Sequence, residues 1–256
     1  MSFARLRDFT SARVALGRAG NSLPTRAMLE FQLAHARARD AVRARLDPQM
    51  LARDLASESR ECILVRSAAS GRDAYLRRPD LGRRLSEDSR RLLADRRGKF
   101  DAAFLVADGL SALAAQRHAP KVLHAVLRNL DLADWKLAPI VIVEQGRVAI
   151  GDEAGHCLGA ALIVVLLGER PGLSSPDSLG IYVTWNPHPG LTDADRNCIS
   201  NIRAEGLSCD RAAHKLLFLM TESRRRKLSG LELKDDLRDD TVSRPLAPRS
   251  ALRELL

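Results

Sequence analysis

LGAALIVVLLGERPGLSSPDSLG, residues 158–180, begins with an apolar run and then breaks at Gly168-Glu169-Arg170-Pro171-Gly172. The run from Ala161 to Leu167 is short and rich in branched side chains, so it reads as a buried strand. The strand therefore carries a Glu-Arg pair to the end of a sheet. Alone, such a pair is a surface ion pair contributing about 0–1 kcal/mol. At a strand end Glu169 becomes a candidate binding residue, because ligands of open α/β sheets sit beyond the carboxyl ends of the strands.

Outward from this strand the same pattern repeats. Phe104 to Ala107 (FLVA) runs into Asp108-Gly109-Leu110-Ser111, with a helical segment following through Leu127. Ile140 to Val143 (IVIV) meets a turn at Glu144-Gln145-Gly146 and then Arg147-Val148-Ala149-Ile150. Ile181 to Trp185 (IYVTW) follows the central run, and a helix is expected from about Ser208 to Lys227. Apolar strands alternating with helical segments predict βαβ units, an α/β fold and a mostly parallel sheet with helices on both faces. DGLS, EQGRV and GERPG then share one rim.

Residues 1–98 form an N-terminal helical region laced with arginine. Pro24 heads a helix in which Leu29, Leu33, Ala36 and Val42 recur at helical spacing, a thin stripe expected to bury one side. Cys62 to Val65 (CILV) reads as a short strand, and Ser86 as an N-cap followed by the acids Glu87 and Asp88. Residues 99–230 make the sheet domain, and residues 231–256 a charged extension with little core.

Of 41 basic residues only 6 are lysine, and the net charge is +9. The arginines are spread among 32 acidic residues and aromatics make up only 4%, so nucleic acid is not the expected partner; anionic ligands and acidic proteins suit the charge as well. No apolar stretch reaches the ~18 residues of a membrane span, and the N-terminus lacks a secretory pattern, so a cytoplasmic protein with reduced cysteines is expected.

Known chemical motifs exclude more than they assign. GDEAGHCLG lacks the nucleotide fingerprints and reads as a helix whose glycines pack closely on the sheet. The histidines have no zinc-binding spacing, and no serine sits in a nucleophile elbow. On residue chemistry alone Cys198 reads as a small buried hydrophobe and Val148 as core. The residues thus describe an α/β sheet with a polar binding rim.

Six stretches, in order, resemble one family: ARVALGRAGNSLPTRAMLEFQLAHARARDAV, YLRRPDLGRRL, VADGLSALA, VEQGRVAIGDEAG, LLGERPGLSSPDSLGIYVTW and DRNCISNI, spread from about residue 12 to residue 230. The family is the small (light) subunit of ethanolamine ammonia-lyase. The resemblance implies an adenosylcobalamin-dependent lyase that converts ethanolamine to acetaldehyde and ammonia and works only with a large, barrel-shaped catalytic subunit. It also implies a Rossmann-like C-terminal domain against the lower side of the cobalamin. For such a partner the thin apolar stripe and many arginines of the N-terminal region, especially Pro24 to Leu46, suit a polar docking surface on the large subunit. The family's cofactor contacts fall on Val148, Glu169 and Cys198, with no catalytic or metal-ligating residue in this chain. The absence of D-x-H-x-x-G agrees with the family's habit of keeping the cofactor's own base on cobalt. Longer members carry an N-terminal extension associated with a bacterial microcompartment, which makes that compartment the alternative location. The rival functional reading is a stand-alone cobalamin- or nucleotide-binding carrier without lyase activity.

Overall fold

Ala160–Gly168 forms strand β4 in the computed structural model, which describes residues 9, 10, 12–56 and 61–234. Its companions are β1 (Cys62–Arg66), β2 (Phe100–Ala107), β3 (Ile140–Glu144), β5 (Leu179–Trp185) and β6 (Arg196–Ile202). They make one six-stranded sheet of order β1-β3-β2-β4-β5-β6. The strand of the N-terminal region, β1, thus joins this sheet through β3.

β4 is where the sheet changes character. It runs parallel to β2, and β2 and β1 are each parallel to β3, but β4 is antiparallel to β5, and β5 to β6. The sheet is therefore mixed, which corrects the expectation of a mostly parallel one. The connections explain the change. β2 leads to β3 through α5 (Ala112–Asn129) and β3 to β4 through α6 (Ile150–Leu158), whereas residues 169–178 and 186–195 carry no α-helix. A parallel return needs a crossover of roughly a dozen residues or more, usually helical; without one the chain comes back antiparallel.

Alternate residues of each strand face opposite sides. Phe104, Val106, Ile142, Val164, Leu166 and Val183 pack with α2 (Pro48–Ala56), α5 and α7 (Cys209–Arg226). Leu105, Val143, Ile163 and Val165 pack with α4 (Glu87–Ala94) and α6. Helices thus cover both faces, as the double-sided apolar runs require. Two of the three glycines of GDEAGHCLG do lie where α6 meets the sheet: a Cβ on Gly151 would overlap Val165, and one on Gly155 would lie 3.2 Å from Ile163 Cβ, whereas Gly159 ends the helix in the left-handed region. Ser86 caps α4 by accepting from the Ser89 amide at 3.3 Å, and Ser208 caps α7 in the same way from Arg211.

Helix α1 (Thr25–Arg43) departs from expectation in the face it presents. It rests on the body through Ala27, Ala34 and Ala41, while Leu29 and Leu33 point outward with 58% and 52% exposure. Small residues spaced seven apart let the helix lie close, so the leucine stripe is left uncovered. The charged extension lies within the described residues only as far as Lys234; the rest of it lies outside them.

Candidate functional site

The carboxyl ends of β2, β3 and β4 do bring DGLS, EQGRV and GERPG to one rim, and hydrogen bonds tie the three together. The Leu110 amide donates to the Gly168 carbonyl at 2.9 Å, and the Ser111 hydroxyl to the Pro176 carbonyl at 2.8 Å. Asp108, only 1% exposed, accepts from the Gln145 and Gly146 amides at 3.0 Å each. Burial pushes its pKa up to about 6, against the pull of these donors and of Arg72, which leaves it ionised near pH 7. Arg72 reaches the same knot, donating to the carbonyls of Gly109 and of Val42 in α1 at 2.8 Å each.

The close passage of two loops needs a glycine at the end of β4. A Cβ on Gly168 would overlap the Ser111 carbonyl, and its neighbours there are backbone atoms that cannot swing away. Gly168→Ala should therefore destabilise the chain by about 1–3 kcal/mol through overpacking. Thermal unfolding would measure the effect, and an unchanged melting temperature would show that the rim yields.

A pocket of about 310 Å³ opens on this rim, lined among others by Tyr75, Val148, Gly168, Glu169, Tyr182 and Asp193. Two of the three expected site residues meet here. Glu169 is half-buried and splits its carboxylate between two tasks. Oε2 accepts from the Ser178 hydroxyl at 2.5 Å and the Asn201 amide at 3.2 Å, whereas Oε1 accepts no hydrogen bond among the described residues. Nor does Glu169 pair with Arg170, so the plain surface ion pair is not what forms. Val148 sits in the turn before α6, packed on the core of that face with part of its side chain open to the pocket.

Cys198 does not line the pocket and is exposed rather than buried. It stands across from Tyr182 in the β5–β6 register, and Tyr182 is a pocket wall. Although the residue is exposed as a whole, partial desolvation of the sulfur beside Tyr182 pushes the thiol pKa up, opposed by the Tyr182 hydrogen bond and aided by the charge of Glu169. A thiol held protonated is a contact group and a poor nucleophile.

Sequence reasoning singled out neither Tyr75, Tyr182 nor Asp193. Asp193 is held by Arg196 Nη1 at 3.2 Å, and Arg196 is itself buried in an ion pair with Asp152 of α6. That pair bolts the edge strand β6 to the helix behind the pocket; breaking a buried pair from one side typically costs about 3–5 kcal/mol. Its members lie 44 residues apart, so no local spacing announces it. Their joint signal is only that each sits in or beside a stretch already singled out: YLRRPDLGRRL, GIYVTW and DRNCISNI.

Comparison with known proteins agrees with the stretches on the rim. A family model described as ethanolamine ammonia-lyase light chain matches residues 1–234. The ethanolamine ammonia-lyase small subunit of Pseudomonas fluorescens strain SBW25 is 55% identical over 241 residues, covering 93% of this chain and 87% of that protein. The protein of the same description from Azotobacter vinelandii strain DJ is 58% identical over 236 residues, covering 91% and 87%. That from Xanthomonas campestris pv. campestris strain ATCC 33913 is 55% identical over 260 residues, covering 98% and 95%.

Proposed function

This chain belongs to the ethanolamine ammonia-lyase light-chain family, and we propose that it is the small subunit of an adenosylcobalamin-dependent ethanolamine ammonia-lyase, binding the cofactor's lower side together with a large catalytic subunit. The complex would convert ethanolamine to acetaldehyde and ammonia. When bound, the cofactor supplies the radical chemistry; this chain supplies placement.

The observation that carries the cofactor assignment is the divided carboxylate of Glu169, with Oε2 fixed by two donors and Oε1 left for a ligand. Cobalamin's rim presents acetamide and propionamide groups and its tail ribose hydroxyls, so it offers neutral donors to a fixed acceptor. A hydrogen bond to a charged group contributes about 1.5–3 kcal/mol, enough to orient a large cofactor without reacting with it. Val148 would add apolar contact from the start of α6, and Cys198 a neutral contact beyond Tyr182.

The pocket's size supports a shared site over a stand-alone carrier. Pockets of roughly 300–1,000 Å³ enclose drug-sized ligands, and cobalamin is far larger. At about 310 Å³ this one covers an edge of it. The remaining surface needs a second chain, and the uncovered leucines of α1 supply a place for that chain to dock. The four parallel strands with helices on both faces support a Rossmann-like reading of that half of the sheet. The free thiols Cys62, Cys157, Cys198 and Cys209 support a cytoplasmic location, with the microcompartment as the family's alternative; no helix among the described residues is long and apolar enough to cross a membrane.

Acetaldehyde release by each subunit alone and by the two mixed, with adenosylcobalamin present, tests the proposal. Activity is expected only from the mixture. Turnover by this chain alone, or none from the mixture, would overturn it.

A further inference from the structure

The walls of the rim pocket are unevenly charged. On the β4–β6 side stand the carboxylates of Glu169 and Asp193 together with the guanidinium of Arg170, and on the β3 side the charged groups are the guanidiniums of Arg83 and Arg147 alone. These two cations come from separate segments and are drawn together by the main chain: the Arg147 amide donates to the Gly82 carbonyl at 2.8 Å. Gly82 makes the approach possible, since a Cβ there would lie 2.9 Å from the Tyr75 ring and 3.1 Å from Arg147 Cγ. Arg147 is also held in orientation, its guanidinium 4.5 Å from the Tyr75 ring centroid and Nη2 donating to the Tyr75 carbonyl at 3.1 Å. Neither Arg83 nor Arg147 forms an ion pair among the described residues, and Arg147 Nε is buried without a hydrogen-bond partner.

Two cations on one wall with no carboxylate paired to either among the described residues leave positive charge uncompensated, and an anion would compensate it. Guanidinium groups fixed in a plane are the side chains best suited to a phosphate, which they grip through paired N–H donors. Resting on the reading of this pocket as a cobalamin site, we propose that Arg83 and Arg147 seat the phosphodiester of the cofactor's nucleotide tail, while Glu169 opposite accepts from its neutral donors. The phosphodiester is the one anionic group of that tail. With its carboxylates confined to one wall and cations alone on the other, the pocket favours one orientation of the tail.

The test uses the reassembled two-subunit complex and equilibrium dialysis against two probes read by their corrin absorbance. One is hydroxocobalamin. The other is diaquocobinamide, which keeps the corrin amides and lacks the nucleotide and its phosphate. Arg83 is exposed and makes no side-chain hydrogen bond or ion pair among the described residues, so Arg83→Gln should leave the fold intact. It should weaken hydroxocobalamin binding about tenfold, the size of one charge-assisted hydrogen bond, and leave diaquocobinamide binding unchanged. Arg83→Lys should recover most of the loss, because the positive charge returns. Equal weakening of both probes, or of neither, would overturn the phosphodiester seat while leaving the cofactor assignment standing. A wild-type complex that retains no hydroxocobalamin would overturn the assignment itself, and the seat with it.

Discussion

Glu169→Gln in the reassembled complex should raise the dissociation constant for adenosylcobalamin roughly thirty- to a thousandfold, a cost of about 2–4 kcal/mol. The argument turns on which atoms the amide must satisfy. In the native chain Oε2 accepts from the Ser178 hydroxyl and the Asn201 amide, and Oε1 is left to the pocket. Glutamine has one acceptor atom and one donor atom. If its carbonyl oxygen keeps Ser178 and Asn201, its NH₂ replaces Oε1 and faces the donors of the cofactor. If it turns over, the NH₂ meets two donors of its own chain. Either way a charge-assisted bond is lost and a polar group is left without a partner. The substitution preserves volume, and the residue belongs to the sheet rim and not to α1, so subunit association should survive. Val148→Ala removes only a small apolar contact and should cost less, while Cys198→Ser should retain turnover because the thiol is protonated and unreactive. Titration of the cofactor, followed by its absorbance, gives the answer. An unchanged dissociation constant would leave Glu169 with only its structural task, tying Ser178 and Asn201 together.

The parts of the fold that were legible are those where burial is two-sided. FLVA, IVIV and the Ala161–Leu167 run are apolar at every position because helices lie on both faces, and all three are strands. β6 was invisible for the opposite reason. RNCISNI is an edge strand whose partly open positions take polar residues, so neither an apolar run nor clean alternation marks it. The direction of β5 was in principle readable: GERPGLSSPDS has no helical pattern, and a strand return without a crossover is antiparallel. Expecting a mostly parallel sheet gave too much weight to the βαβ units before it.

The site was less legible than the fold. Residue chemistry alone reached a polar rim at the ends of β2, β3 and β4, which is where the pocket opens. It could not choose Val148 or Cys198, which entered through the family resemblance. Tyr75, Arg83 and Asp193 escaped because a pocket assembled from distant segments has no local period. Gly82 lets its turn close on Tyr75 and Arg147, yet in sequence it is one glycine in a turn.

Helix α1 inverts the ordinary inference from an apolar stripe, and the inversion yields the second large effect. Leucines at helical spacing are expected to face a core, because each fully buried one contributes about 1.5–3 kcal/mol. Here the core side is taken by Ala27, Ala34 and Ala41, and Leu29 and Leu33 are left outside with Met28 and Phe31 also exposed. Leu29 and Leu33, one turn apart, make an apolar patch of the kind that is kept when another surface covers it. The proposed occupant is the large subunit. Deleting residues 1–46 would be a poor test, since the Val42 carbonyl holds Arg72 at the rim and Leu46 is buried in the core. Leu29→Glu with Leu33→Glu leaves those contacts alone, and glutamate forms helix about as well as leucine. The pair should weaken association with the large subunit by about 4 kcal/mol or more, roughly a thousandfold, because two anchors are lost and two charges must be desolvated. The melting temperature of the isolated chain should stay near that of the wild type. Sedimentation of mixtures over a range of concentrations measures the affinity directly. A complex of undiminished affinity would remove α1 from the interface and leave its leucines facing solvent.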